Sequence, residues 1–264
     1  MAFDVNNFVI DHVIRGLMTS TADGSVMWSI NQITDPTLNV TSETAEAVDA
    51  MGSTIATFNR GKQAEFSASN SLFDLGLFAA QNGNTKEVAS AGATISTPAF
   101  ETVVTANGVT SVTLKNMPNG QIDAIYALKG DGTLGKKYTV GTTASAENFV
   151  HTAGTNTITV PTGLAAGTQL FVMYEYEAES AVAVTGDAIN FPRAGKFIME
   201  VLGTDVCDPT TLIHAYIIFP NAKLDANVDI SFTTDGNHPF TIQAQQAYCD
   251  SKKTLFQIVI PEEA

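Results

Sequence analysis

Asp49-Ala50-Met51-Gly52-Ser53-Thr54-Ile55-Ala56-Thr57-Phe58-Asn59-Arg60-Gly61-Lys62-Gln63-Ala64-Glu65-Phe66-Ser67-Ala68 is the stretch on which the fold turns. It opens on turn residues and then alternates β-branched or aromatic residues with small ones, the pattern of a strand. Thr54 to Phe58 and Gln63 to Phe66 read as strand, with the turn-like Asn59-Arg60-Gly61-Lys62 between them. The preceding stretch, Leu38 to Val48, is rich in Thr and Glu and stops at Asp49. Together these segments predict a long hairpin that runs on into a helix. Ser67, Ser69 and Asn70 offer N-cap side chains, and Leu72, Phe73, Leu75, Phe78 and Ala79 recur at helical spacing. Gly83 is a helix stop, so the helix is placed at about residues 69–82. Gly76 inside it costs about 1 kcal/mol against Ala, which is read as a mark of close packing on a sheet.

Outward from this centre the chain is almost all strand. Val26 to Ile30 alternates. From about Pro98 to Ser180, short strands alternate with turn signals such as Pro118-Asn119-Gly120, Gly130-Asp131-Gly132 and Pro161-Thr162-Gly163. That spacing predicts a small immunoglobulin-like β-sandwich inserted at 99–180. Longer strands return after Ala181: Lys196 to Leu202, His214 to Phe219 stopped by Pro220-Asn221, Val228 to Phe232, and Phe256 to Ile260. The fold class is therefore mainly β. A discontinuous domain of 1–98 and 181–264, with one packed helix and long hairpins, carries the inserted sandwich.

The 264 residues suffice for one large or two small domains. Only 15% are charged, while 44% are hydrophobic, and a charge-poor, Thr-rich surface desolvates easily against copies of itself. With 13 Lys and Arg against 27 Asp and Glu, the net charge is −14. That excludes nucleic-acid binding through a basic stripe of phosphate contacts. Cys207 and Cys249 are too few for a disulfide scaffold. Met1-Ala2-Phe3-Asp4-Val5 lacks the basic start of a secretion signal, so folding in the cytoplasm with reduced thiols is expected. No run approaches the ~18 apolar residues of a membrane helix.

Chemistry-bearing patterns are sparse. Gly130-Asp131-Gly132-Thr133-Leu134-Gly135-Lys136-Lys137 approaches a P-loop but lacks the hydroxyl residue after its lysine and is followed by strand-like Tyr138-Thr139-Val140. It reads as a turn with two solvated lysines. His12, His151, His214 and His238 have no paired zinc spacing, and the expectation for them and the two cysteines is surface imidazoles and buried thiols. Asp205, Asp208 and Asp235 lie in no calcium-loop pattern. Glu175 and Glu177 share a strand face, which is read as solvated. No Gly-x-Ser-x-Gly elbow is present. No catalytic, cofactor-binding or metal residue is assigned, and the chain is expected not to be an enzyme.

Two segments resemble the tail tube (major tail) proteins of bacteriophages. One is Asp49 to Ala68 running into the helix; the other is Ile218-Phe219-Pro220-Asn221-Ala222-Lys223-Leu224 ahead of the last strands. The resemblance covers 1–98 and 181–264, and the inserted module departs from the smallest family members. It implies a structural virion protein of the tail, made in the host bacterial cytoplasm. Six copies would form a ring whose hairpins join into one β-barrel, and rings would stack into a hollow tube through which DNA leaves. Partners would be copies of itself and other tail proteins (an initiator, a terminator and, in a contractile tail, a sheath), with DNA passing unbound and no membrane. The inserted module would face outward. A conduit avoids attractive phosphate contacts, so Glu43, Glu46, Asp49, Glu65, Asp225 and Asp229 are the expected lumen-lining residues. Another virion β-protein, such as a capsid decoration or baseplate subunit, shares the same composition and is the alternative.

Overall fold

The computed structural model describes residues 7–262 except 235, 247 and 249–251. In chain order the described elements are β1 (Phe8–Ser20), β2 (Val26–Ile30), β3 (Ile33–Val48), β4 (Thr54–Asn70), α1 (Leu75–Gln81), β5 (Glu87–Val88), β6 (Ile95–Val104), β7 (Ser111–Thr113), β8 (Ala124–Leu128) and β9 (Leu134–Val140). There follow β10 (Asn148–His151), β11 (Thr157–Thr159), β12 (Gln169–Ala178), β13 (Val182–Ala183), β14 (Ala194–Asp205), β15 (Asp208–Leu224), β16 (His238–Ala244) and β17 (Gln257–Val259). The fold is mainly β. The chain forms two compact units, one combining Met1–Lys86 with Val184–Ala264 and the other comprising Glu87–Ala183.

The first unit is one sheet in the order β2-β1-β14-β15-β16-β4-β3, with β17 also on β15. Its two end strands, β2 and β3, are consecutive in the chain, joined by Asn31 and Gln32 alone. A flat sheet cannot bring its opposite edges within two residues, so this one curls on itself. Gln32 accepts the Ser71 N–H through its carbonyl (2.9 Å). Ile33 of β3 presses on Gly16 of β1, where even a Cβ would lie 2.8 Å from the isoleucine Cδ1. The concave face holds an aromatic core. Phe197 is fully buried, with ring centroids 5.5 Å from Phe66, 5.7 Å from Trp28 and 5.9 Å from Phe219. Tilted and edge-on aromatic pairs of this kind add to the burial energy of each ring.

Helix α1 is shorter than the sequence predicts. Ser67, Ser69 and Asn70 belong to β4, which pairs with β16 through Ser67↔Thr241, Ser69↔Pro239 and Asn70↔His238. Small polar residues that look like a cap are thus held in a ladder by a strand about 170 positions away. The true N-cap is Asp74, whose Oδ1 accepts the Leu77 N–H at 2.7 Å. Gly76 does not mark packing on the sheet. A Cβ there would meet only the Asp74 carboxylate, at 3.2 Å. Gly83 does end the helix, at φ +73°, and its α-carbon lies against the Phe191 backbone so closely that no Cβ fits.

Two further readings are corrected. Val228 to Phe232 alternates in sequence but lies in irregular chain, not a strand. Pro220-Asn221 does not stop a strand, because β15 continues to Leu224 and absorbs the proline at a register shift between Phe219 and Ala222.

The second unit is a seven-stranded path, β6-β12-β8-β9-β10-β11-β7, with β9 and β10 parallel. It also curls. The Glu101 carboxylate on β6 accepts the Lys115 N–H just beyond β7 (3.1 Å) and the Tyr174 hydroxyl on β12 (3.0 Å). Its core of Ile125, Phe149, Ile158, Leu170 and Val172 is fully buried and shares no residue with the core of the first unit. The chain enters and leaves it on one small ribbon, where β5 pairs with β13.

Candidate functional site: the projecting hairpin

The β3–β4 hairpin is built around Asp49. Its backbone N–H donates to the Ser53 carbonyl, and its carboxylate accepts the N–H groups of Met51 (2.9 Å) and Ser53 (2.8 Å). Gly52 takes the left-handed conformation, φ +83°, that the tight turn requires. Asn59 to Lys62, which read as turn-like, is continuous strand. Gly61 at φ +60° forms a bulge, the pairing stepping from Thr41↔Gln63 to Glu43↔Arg60.

Only the base of this hairpin belongs to the body. β4 pairs with β16 from Glu65 to Asn70, and its buried residues (Ala64, Phe66, Ala68, Asn70) stop at Ala64. Beyond that point each strand pairs only with the other among the described residues. Val40, Val48, Met51, Ile55 and Phe58 are exposed, Met51 to 91%. A two-stranded ribbon is marginal in water by itself. Unpaired edges with exposed apolar side chains are a template for another chain's strands.

The six residues expected to line a lumen fall at four places. Asp49 is the turn residue just described. Glu43 and Glu46 lie on the projecting part of β3, three residues apart with no register shift between them, so alternation places them on opposite faces. Glu46 accepts a hydrogen bond from the Thr54 hydroxyl (3.1 Å). Glu65 sits opposite Asn39 on one side and Gln243 on the other. Gln243 Nε2 in turn donates to Asp225 (3.0 Å), which brings Glu65 and Asp225 to one patch. Asp225 also caps its own turn by accepting the Asn227 N–H (2.9 Å). Asp229 is exposed in the irregular segment. Following alternation through the bulge, Glu43 shares the non-core face with Glu65, Thr41 and Gln63, together with Arg60 and Lys223. Near the body that face is polar with both signs of charge, and farther out along the ribbon it carries Ala45 and the exposed Phe58.

Other chemistry-bearing residues are absorbed by structure. His151 and His238 are buried, not surface imidazoles. His151 Nδ1 accepts the Ile122 N–H (3.2 Å), leaving Nε2–H to donate to the Thr155 carbonyl (3.0 Å). His214 contacts Glu200 (3.0 Å), which also binds Arg15 (2.7 Å), a cross-strand cluster that sequence spacing gave no sign of. Cys207 is exposed, contrary to the expected buried thiol, and Cys249 lies outside the described residues. Gly130 to Lys137 is the β8–β9 hairpin, with Lys136 paired to Glu147 (2.6 Å). Glu175 and Glu177 are held by Ser96, Thr94 and Asn119. No metal-binding group of three or more ligating residues occurs among the described residues. No described helix is long and apolar enough to cross a membrane.

The described residues thus form a curled β-body with a long projecting ribbon, their polar side chains held in turns and cross-strand contacts. The model of the YomU/Tube protein family matches residues 8–258, and the chain belongs to that family. A match over nearly the whole chain takes in the second unit as well as the segments that resemble phage tail tube proteins. No curated protein matches the chain. The family name denotes a structural tube component of the virion, and a tube implies self-assembly and contact with other tail proteins.

Proposed function

We propose that the chain is the tube subunit of a phage tail. Copies made in the host cytoplasm close into hexameric rings, the rings stack on an initiator and end at a terminator, and the bore conducts DNA during ejection. The observation that carries this reading is the projecting hairpin. Among the described residues its edges are unpaired and its apolar side chains exposed beyond Ala64, and ring closure would pair those edges and remove them from water. The second unit, whose chain entry and exit share one ribbon, serves as a module on the outside of the tube. The low charge content supports burial between copies, and the excess of acid over base disfavours DNA sticking to the wall.

The test is electron microscopy of two purified proteins, the full chain and a variant in which residues 42–60 are replaced by a two-residue turn. The full chain is expected to give stacked rings, if necessary with the tail initiator added. The shortened variant is expected to stay folded but monomeric, because every member of its core lies outside the deleted segment. A full chain that remains monomeric at high concentration with initiator present, or a shortened chain that still makes tubes, overturns the reading.

A further inference from the structure

The projecting part of the β3–β4 hairpin sorts its charges by strand. From Thr41 to Val48 the charged residues of β3 are Glu43 and Glu46, and Asp49 follows in the turn. From Thr54 to Gln63 the charged residues of β4 are Arg60 and Lys62. Acid is thus confined to one strand and base to the other, in a chain where acids outnumber bases 27 to 13. All four strand residues are exposed, and none of them enters an ion pair among the described residues. Glu43 stands opposite Arg60 in the register, yet its carboxylate lies over Gly61, where a Cβ would be 3.7 Å from Oε2. Glu46 accepts the Thr54 hydroxyl (3.1 Å). The outer backbone edges of both strands are unpaired here among the described residues.

We infer that this split is a polarity code read by a second copy of the chain. It admits the β4 edge of one hairpin beside the β3 edge of another, and it rejects β3 beside β3 and β4 beside β4. The inference rests on the tube reading and adds to it what selects the partner edge. Backbone hydrogen bonding does not select. An open strand edge is a template for any other, and antiparallel ladders form between like edges related by a two-fold axis as well as between unlike ones. The two outcomes differ. A like-edge contact is self-complementary and stops at two copies, whereas an unlike-edge contact leaves a free edge at each end for the next copy. Charge separates them. Unlike edges bring Arg60 and Lys62 to Glu43 and Glu46. Like edges bring acids to acids or bases to bases, which destabilises cross-strand neighbours. One exposed ion pair contributes little, but the preference recurs at every contact of an assembly, and repulsion acts against the wrong partner.

The experiment uses the full chain in three variant forms, with folding checked by circular dichroism. The first carries Arg60→Glu with Lys62→Glu, the second Glu43→Lys with Glu46→Lys, and the third has all four residues replaced by Gln. Both bases, or both acids, are changed together because either one alone leaves an attractive pair at the contact. Each charge-reversed form by itself, with initiator present, is expected to lose about tenfold in sedimentable assembly, since every β4–β3 contact now opposes like charges. An equimolar mixture of the two is expected to recover the parent's assembly, because each reversed edge then meets its complement. Contacts inside each hairpin are the same in the mixture as in the separate forms, so recovery reads the contact between copies alone. The neutral form is expected to accumulate arrested dimers on a native gel that the parent does not show. A reversed form that assembles like the parent, a mixture that does not recover, or a neutral form without dimers overturns this inference and leaves the tube reading in place. If the parent chain makes no rings even with initiator, both fail.

Discussion

His238 ties helix α1 to the sheet through atoms that fix its protonation. Nδ1 accepts the Asp74 N–H (3.3 Å), so the ring proton is on Nε2, which donates to Gln81 Oε1 (2.7 Å). Gln81 Nε2 then donates to the Pro239 carbonyl (3.0 Å). Burial of the ring holds its pKa below the ordinary value of 6.5, with the Asp74 charge acting in the opposite sense. The folded state therefore resists a proton that the unfolded chain accepts. Stability from neutral His238 is complete above about pH 6.5 and is lost as pH falls from there through the lowered folded value. Replacing His238 with Gln is expected to lower stability by about 1–3 kcal/mol at pH 7.5 through lost buried hydrogen bonds. Urea midpoints for parent and variant should converge between pH 7 and 5. A gap that stays constant over that range would show that the imidazole does not titrate with unfolding.

At the scale of elements, the hairpin face matters more than the individual carboxylates. Glu43 and Glu65 share the non-core face of the β3–β4 ribbon, and Glu46 is on the other. If the non-core face lines the bore, Glu43→Lys with Glu65→Lys should slow DNA ejection, and more at low salt, where screening is weaker. Glu46→Lys should leave ejection unchanged. The measurement is ejection kinetics of virions carrying each variant, with intact tails checked by microscopy. Equal slowing by both variants would place the bore on neither face alone. The same ribbon shows what sequence can reveal. Asp49 to Ser53 was legible as a turn because the Asp carboxylate and Gly52 act within five residues. The start of α1 is not, because Ser67 to Asn70 are held as strand by β3 on one side and by the distant β16 on the other. Val228 to Phe232 differs in the opposite way, its alternation finding no partner strand among the described residues. The pairing of Glu65 with Asp225 through Gln243 depends on β4, β15 and β16 meeting in space, so no spacing in the chain could encode it.

For the whole molecule, the separate cores of the two units imply separable folding. The chain ends flanking the second unit are held together within the first. Asn84 donates to the Thr185 carbonyl and to Asp187, and Asp187 also accepts from the Ile189 and Asn190 N–H groups. These bonds draw the Asp187 carboxyl down to about 2. Replacing residues 87–183 by a short Gly/Ser linker should therefore leave a cooperatively unfolding protein that still assembles into tubes. Differential scanning calorimetry and electron microscopy read the two outcomes. Loss of the cooperative transition would show that the first unit depends on the second for its core.

The pairing of β1 with β14, Phe8 opposite Asp205 at one end and Ser20 opposite Gly195 at the other, sets an order of events during synthesis. The strand made first has to wait for a partner made some 175 residues or more later, whereas the second unit is contiguous and has all its strands by Ala183. On the ribosome the inserted unit is complete while β1 to β4 are still an open set of edges. Contacts this distant in sequence also make closure of the first unit slow. The translating chain thus exposes its most adhesive strands for longest, within reach of neighbouring nascent copies on the same message. A low density of charge gives those waiting strands little electrostatic protection against sticking. Chaperone occupancy should accordingly be greatest between the emergence of β4 and that of β14.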